Sequence, residues 1–439
     1  LYRPWVAAAL VLAALHMLIF DRGLGGDGWA GFSLLASIAD DGDLWLENNN
    51  RGVMNGLLGT PAGHLVAQYP PGIVAIDAPP FAAGRALDRL LPAGLLANGV
   101  ELPPVGRVPR GVFLSAALIV LARNAAVLLG LLWTAQALLR LGLPEKQAAA
   151  AVAFTFFGGP LIFYALVGMT HAPTFALAAL LLLLLVRQRE TGSVKLAVAA
   201  GIVVGAAVLV RYSAVALLVP ALLGLRSWRA RIACASAFAV LLLPLPFWWQ
   251  ACFGSWLPPP YGGRWVLTAA SPWNVLFSPV HGLFLFHPAL LFAVVGLVWL
   301  CFSPLSRGRE GGAGRGAGGE GLAWFLAVAL LHGWWSEWSN PGGYGQRFLI
   351  DALPPLALGF AAWLRPGGGR RTRIAVCLAA TLAGWLLFFA AVGGLVPPPP
   401  SWPWPQRLSE YAGLLRHPPG PAEILAALRR SSFLLRALG

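Results

Sequence analysis

Lysine is almost absent: Lys146 and Lys195 are the only two in 439 residues. Charge of either sign is scarce. Asp, Glu, Lys and Arg together make up 11% of the chain, while hydrophobic residues make up 58%. An average soluble domain is roughly a quarter charged. So few charges cannot solvate a surface of this size, which excludes an ordinary cytosolic enzyme. The high apolar content also excludes intrinsic disorder. Cysteine is rare as well. Cys234, Cys252, Cys301 and Cys377 stand alone in or beside apolar runs, with no CxxC. They read as small, inert core residues rather than disulfides or a metal site.

What is present is apolar sequence in long runs. A mean hydropathy of +0.71 points to an all-α polytopic membrane protein, because a bilayer requires every spanning backbone group to be paired within the chain. The first run, Trp5 to Phe20, has no small-residue cleavage site after it and reads as an anchor rather than a signal peptide. Further runs lie at about 112–139, 148–166, 172–186, 196–212, 214–225, 232–250, 288–302, 322–335, 350–364 and 374–396. That predicts about eleven transmembrane helices, some shorter than the ~20 residues of a perpendicular span. Short, Pro- or Gly-broken spans are tolerated where they line a cavity. The domain reading is a transmembrane unit over 1–396, with a long first loop at 21–110, and a Pro/Trp-led tail over 397–439.

The formal charge of +14 is an orientation signal rather than a nucleic-acid footprint, since the arginines fill short gaps between apolar runs. With the N-terminus inside, the inside gaps hold Arg3; Arg140 and Lys146; Arg187, Arg189 and Lys195; Arg226, Arg229 and Arg231; Arg307, Arg309 and Arg315; and Arg365, Arg370, Arg371 and Arg373. The short outside gaps hold only Arg211, Arg264 and Arg347. The expectation is a bacterial inner-membrane protein with a cytoplasmic N-terminus. The first loop, 251–287, 336–349 and the tail then lie outside, and 303–321 is a Gly-rich inside linker.

Acidic residues are few, so their placement is informative. Glu145, Glu190, Glu310 and Glu320 fall in inside gaps, and the others fall outside, mostly in the first loop. There, Trp29, Phe32, Leu35 and Ile38 recur at helical spacing. This predicts an amphipathic helix lying on the membrane surface. Asp27 precedes it as an N-cap would, and Asp41-Gly42-Asp43 ends it with a turn. Asp27 is either that cap or a carboxylate facing a cavity, placed to take a proton or hold a metal. Asp40, Asp41 and Asp43 read as a solvated turn.

Several segments resemble GT-C glycosyltransferases, polytopic enzymes that move a sugar from a polyprenyl-phosphate carrier. The subgroup resembled is the bacterial relatives of dolichyl-phosphate-mannose protein mannosyltransferases and of lipid A aminoarabinose transferases. The run from Asp27 to Gly42-Asp43-Leu44 is similar to the start of their first external loop, with Gly28 where a second acid is usual. Gln68-Tyr69-Pro70-Pro71-Gly72, then Pro80-Phe81, is similar to a YPPG…PF segment. Gly168-Met169-Thr170-His171 resembles the short loop before the fourth span. Leu276 to Phe284 resembles FSPxxGLF. Trp334-Trp335 to Gly345-Gln346-Arg347-Phe348, followed by Asp351 and Pro354, resembles a W…GxRF segment.

The resemblance implies sugar transfer to an extracytoplasmic lipid, glycan or protein acceptor by inverting single displacement, with Asp27 as base. Such a donor needs a cation at membrane depth. Arg347 and Arg211 each border a span, where an unpaired arginine is costly and points to function, and a guanidinium binds phosphate bidentately. Arg264 is a weaker candidate in a Pro/Gly loop. His64, His171, His281 and His287 fall on the outside face and are either structural or substrate-binding, and no HxxxH or HExxH spacing makes them metal ligands. Tyr69, Tyr212, Tyr261 and Tyr344 are placed to stack on a sugar or hold the carrier. Glu337 either assists Asp27 or pairs with an arginine. No cofactor is singled out, and a divalent metal stays open. The rival classes are a polyprenyl-lipid flippase or transporter, for which inverted repeats would speak, and a non-catalytic assembly subunit. Neither these nor the enzyme has nucleic acid as a partner.

Overall fold

The computed structural model describes residues 3–20, 23–49, 57–60, 62–92, 100–102, 106–108, 110–257, 271–278, 281–302, 317–335, 345–365 and 367–392, with isolated positions from 413 on. The Gly-rich stretch 303–316 and nearly all of the tail lie outside the described residues, as do Tyr261, Arg264, Glu337 and Tyr344.

The chain is mostly helical. α1 (Pro4–Phe20) is apolar throughout apart from His16. The first long connection holds α2 (Gly26–Asp40), the ribbon of β1 (Leu57–Gly59) and β2 (Leu65–Ala67), α3 (Gly72–Leu90), and a second ribbon of β3 (Val100–Leu102) and β4 (Gly106–Val108). α4 (Arg110–Arg140) follows. α5 (Glu145–Phe157) and α6 (Leu161–Tyr164) are one apolar run broken at Gly158-Gly159-Pro160, where proline removes a backbone donor. α7 (His171–Thr191) stops at Gly192 in the left-handed conformation, the usual glycine terminator. α8 (Val194–Val210) ends at Arg211 and passes into a 3-10 helix, Tyr212–Leu217, and α9 (Leu218–Gly224). α10 (Trp228–Leu242) runs almost directly into α11 (Pro244–Phe253). The short α12 (Pro272–Phe277) and α13 (Leu283–Phe286) precede α14 (Ala289–Phe302). α15 (Ala317–Gly333), a second 3-10 helix (Arg347–Ala352), α16 (Leu353–Trp363) and α17 (Arg370–Val392) complete the fold.

Among the described residues, three helical stretches, Val112–Arg140, His171–Thr191 and Trp228–Phe253, are long and apolar enough to cross a membrane. Pro4–Leu18, Val194–Val210, Tyr212–Gly224 and Ala289–Phe302 are apolar but shorter. Of the runs expected to span, several are thus short or broken.

Helices pair closely through small residues, as expected where lipid gives no hydrophobic drive between them. α14 and α16 meet at Gly296 and Gly359. A Cβ on Gly359 would strike the Ala293 carbonyl, and one on Gly296 would strike that of Gly359. The two ends of the bundle differ. At one, Arg140 bonds Glu190 at 2.9 Å, Arg189 meets Glu320, and Glu145 accepts the Trp5 N–H at 2.9 Å. These all come from gaps expected on the inside. At the other end, α2 packs against the start of α7.

The first loop departs from the expected surface helix. α2 is buried on every side from Asp27 to Ser37, and only its last turn emerges, with Ile38 exposed. Trp29, Phe32 and Leu35 fill one core with Phe81, Ile119 and Val120. Gly28 and Gly31 lie along the same side of the helix, between and beside those large residues, and let the turn before α7 and α3 approach. α3 runs lengthwise on α4, with Gly84 against Ser115 and Asp77 against Arg123. Periodicity detects the apolar stripe but not the glycines within it that seat a neighbour.

Candidate active site

Asp27 lies in the first turn of α2. It does not cap that helix: the N-cap position is Gly25, and no side chain caps it. The carboxylate instead reaches the start of α7. Its Oδ2 accepts the Thr170 backbone N–H at 3.3 Å and the Thr170 hydroxyl, with His171 Nδ1 at 3.9 Å. The helix dipole at that N-terminus favours an anion. Asp27 is 7% exposed, and its Oδ1 has no hydrogen-bond partner among the described residues. A buried acceptor left open in this way is costly and is available to a substrate hydroxyl.

The seat of Asp27 is tight. A Cβ on Gly28 would run into the Gly168 carbonyl and come within 2.8 Å of Arg123 Nη1. The second acid of the resembled family has no room here. The space is taken by a buried ion pair between α3 and α4. Arg123 donates from Nε to Asp77 Oδ1 at 3.3 Å, from Nη2 to Asp77 Oδ2, and from Nη1 to the Gly168 carbonyl. Both side chains are essentially inaccessible, Arg123 at 1% and Asp77 at 0%.

Two further arginines approach from the ends of other helices. Arg211, at the C-terminus of α8, is buried with Nη1 3.7 Å from Asp351 Oδ2. Arg347 opens the second 3-10 helix. Its guanidinium lies 5.1 Å over the Phe348 ring and its Nη1 4.0 Å from Met169 Sδ. Its Nε has no partner among the described residues. Phe348 stacks on His332 at 5.2 Å, packs on Trp335 at 4.3 Å, and faces His171 at 6.5 Å. His171 is buried and stacked on Tyr164 at 5.3 Å. Tyr69, half-buried in the first loop, feels the charges of Asp27, Arg347 and Arg211 together. Its phenol is pushed up to about 12, first by burial and then by Asp27. With Arg123 matched to Asp77 and Arg211 to Asp351, the unmatched charges among these groups are Asp27 and Arg347.

Asp27, Tyr69, His171, Arg211 and Arg347 therefore come together. Other candidates are engaged elsewhere. His64 stacks on Trp45 at 4.3 Å and meets Glu47 at 3.1 Å on the outer ribbon. His281 stacks its ring on Phe286 at 5.7 Å, and His287 is buried against Gly345. The Tyr212 hydroxyl accepts from Trp249 Nε1 at 2.9 Å. Glu337 and Tyr344 lie outside the described residues. Reading from sequence overlooked Asp77 and Arg123. The signal was available, since an arginine well inside an apolar run is expensive unless it has a partner.

The donor set among the described residues does not suit a divalent cation. Among them, Asp27 is the one carboxylate of the site not already matched to an arginine, His171 is its one imidazole neighbour, and Arg123, Arg211 and Arg347 crowd the same space. Among the described residues no group of three His, Cys, Asp or Glu side chains converges, whereas hard cations take several oxygen ligands.

No family model matches the chain, and no curated protein matches it by sequence. Solved structures do overlay. ArnT from Cupriavidus metallidurans bound to undecaprenyl phosphate aligns at 13% identity and a TM-score of 0.45, over 97% of this chain and 76% of that one. The oligosaccharyltransferase of Archaeoglobus fulgidus in its apo form aligns at 14% and 0.47, over 98% and 56%. The same organism's AglB, with an inhibitory peptide and a dolichol-phosphate, aligns at 13% and 0.45, again over 98% and 56%. This chain thus spans little more than half the length of the Archaeoglobus chains.

Proposed function

We propose that the chain is an integral-membrane glycosyltransferase. It transfers a sugar from a polyprenyl-phosphate carrier to an acceptor on the extracytoplasmic side of a bacterial plasma membrane. The observation that carries this reading is that Asp27, buried and with Oδ1 open, and Arg347, whose Nε is unmatched, both act on Tyr69 in one site. A general base and a phosphate-binding cation are the two charges a single displacement on a phosphosugar needs.

In that step the acceptor oxygen attacks the anomeric carbon as its proton passes to Asp27 Oδ1. The bond from the anomeric carbon to the phosphate oxygen breaks, its electron pair stays on that oxygen, and the carrier leaves as a phosphate monoester. Arg347 binds the charge that develops there. Arg211 adds to the positive potential from behind its own pairing with Asp351. Thr170 keeps Oδ2 occupied, which leaves Oδ1 to the acceptor. Attack from the side opposite the leaving phosphate inverts the anomeric centre. The sugar is a hexose or a pentose, and the carrier tail lies in lipid.

The test is transfer of radiolabelled sugar from a panel of polyprenyl-phosphate sugars to membrane extract by protein reconstituted in lipid. Carrier-dependent transfer that collapses in Asp27→Asn supports the proposal. Transfer that survives Asp27→Asn removes Asp27 as base. Movement of the carrier between leaflets without any transfer replaces the enzyme with a flippase.

A further inference from the structure

We infer that the buried Arg123–Asp77 pair is a positioning device that fixes the place and aim of the Asp27 carboxylate through the turn at Gly168. The inference rests on the reading of Asp27 as the base.

The device has three parts. Arg123 sits in α4 eleven residues in from Val112, where a bare guanidinium is costly to bury. A buried pair is weak evidence for stability, because desolvation offsets most of the attraction. Its geometry is therefore the informative part. One edge of the guanidinium engages both oxygens of Asp77 on α3, and the remaining Nη1 holds the Gly168 carbonyl. A lysine has no such planar fork.

Gly168 is the second part. Its φ is +47°, in the left-handed region that side-chain-bearing residues rarely adopt. The turn it makes leads within two residues to Thr170, whose N–H and hydroxyl both point at Asp27 Oδ2. The third part is the seat of α2. Gly25 and Gly28 stand one helical turn apart. A Cβ on Gly25 would lie 2.6 Å from Val167 Cγ1 and 2.8 Å from the Val167 carbonyl, and one on Gly28 would meet Gly168 and Arg123. Asp27 and its hydrogen-bond donor Thr170 are thus both placed by the same guanidinium. Among the described residues, the titratable or charged groups around Asp27 are His171 from α7, Asp77 from α3, Tyr69 from the loop before α3 and Arg123 from α4, with Arg211 and Arg347 acting on Tyr69 and His171 from the starts of the two 3-10 segments.

If Arg123 acts through this chain, weakening it removes donors from the Asp27 carboxylate. A carboxylate that loses hydrogen bonds keeps its proton to higher pH. The experiment compares wild type, Asp27→Asn, Arg123→Lys and the isosteric Thr170→Val in lipid, measuring kcat and donor KM across pH. Hydrogen exchange of the 166–172 backbone is followed in parallel. In Arg123→Lys and Thr170→Val, kcat falls by about 10- to 100-fold, as small misplacements of reacting groups do. Donor KM holds within about twofold, and the acid limb of kcat moves to higher pH in both. Backbone exchange in 166–172 quickens by on the order of tenfold in Arg123→Lys. A merely structural pair would lower the active fraction and leave the acid limb in place, which overturns the inference. Unchanged exchange in 166–172 also overturns it, whether or not transfer is detected. Full transfer in Asp27→Asn sinks the base assignment instead, and is read separately from the exchange result. If Arg123→Lys does not fold, the acid limb of Thr170→Val decides.

Discussion

Gly28→Ala against Gly31→Ala is the sharpest test of the seat under Asp27. Both glycines lie in the buried part of α2, three residues apart. Each change removes a glycine from a helix, which by backbone entropy alone stabilises by roughly 0.5–1 kcal/mol. Their surroundings differ. At Gly31 the new Cβ meets Ile73 at 3.4 Å and Asp77 Oδ2 at 3.8 Å, ordinary van der Waals contact. At Gly28 it collides with the Gly168 carbonyl, which is backbone held by Arg123 and cannot swing aside. Overpacking of this kind costs about 1–3 kcal/mol. If α2 recoils from Gly168, the bonds from Thr170 to the carboxylate lengthen as well, and hydrogen bonds to a charged group are worth about 1.5–3 kcal/mol each. Gly28→Ala should therefore lose several kcal/mol relative to Gly31→Ala, and about 100-fold in kcat from the displaced base. Heat-induced unfolding in lipid and initial rates of sugar transfer, run side by side, measure both. Equal heat tolerance and equal kcat in the two variants would refute the reasoning. Gly28→Glu, which restores the acid of the resembled family, should fare worse still, because its carboxylate competes with Asp77 for Arg123.

Arg347→Ala should raise the donor KM by about 10- to 100-fold, the loss of a charge-assisted phosphate contact, read from initial rates against donor concentration; an unchanged KM removes Arg347 from the phosphate site. Arg211→Met leaves Asp351 as a lone buried charge and should destabilise by about 3–5 kcal/mol, with most of the loss recovered in Arg211→Met combined with Asp351→Leu. Heat denaturation of the two proteins decides whether that pairing is structural. Tyr69 is raised from 10.0 to about 12, so its contribution to stability is whole below pH 10 and lost as pH climbs towards 12, since the unfolded chain releases the proton first. Tyr69→Phe should lose less heat tolerance over that interval than wild type, and parallel losses would count against the environment assigned to Tyr69.

Much of this architecture is legible in the residues. Each apolar run falls on a helix, because burying backbone in lipid leaves few alternatives, whereas α3, α12 and α13 lie in segments that carry no such run. Gly192 and the Gly158-Gly159-Pro160 break mark an end and an interruption through backbone conformation alone. The arginine-rich gaps anticipate which helix ends meet, as in Arg140–Glu190 and Arg189–Glu320. Asp27, Arg211 and Arg347 stand out because charge is rare here and each lies beside an apolar run.

Other features depend on which helix lies against which. Hydrophobic period could not tell a surface helix from α2, which is buried from Asp27 to Ser37 and whose Gly28 and Gly31 are pressed onto the Gly168 turn and α3. Asp77 and Arg123 are 46 positions apart and look like strays in unrelated segments until α3 packs along α4. The partner of Asp27 is Thr170, 143 residues away, so its neighbours in sequence could not decide between a local cap and a carboxylate facing a cavity. The chain by itself determined a helical membrane protein, the order of its apolar helices and the scarcity of charge that makes each ion informative. Tertiary structure alone decided which charges cancel and which stay open, because a side chain's pairing depends on distances that sequence separation does not encode.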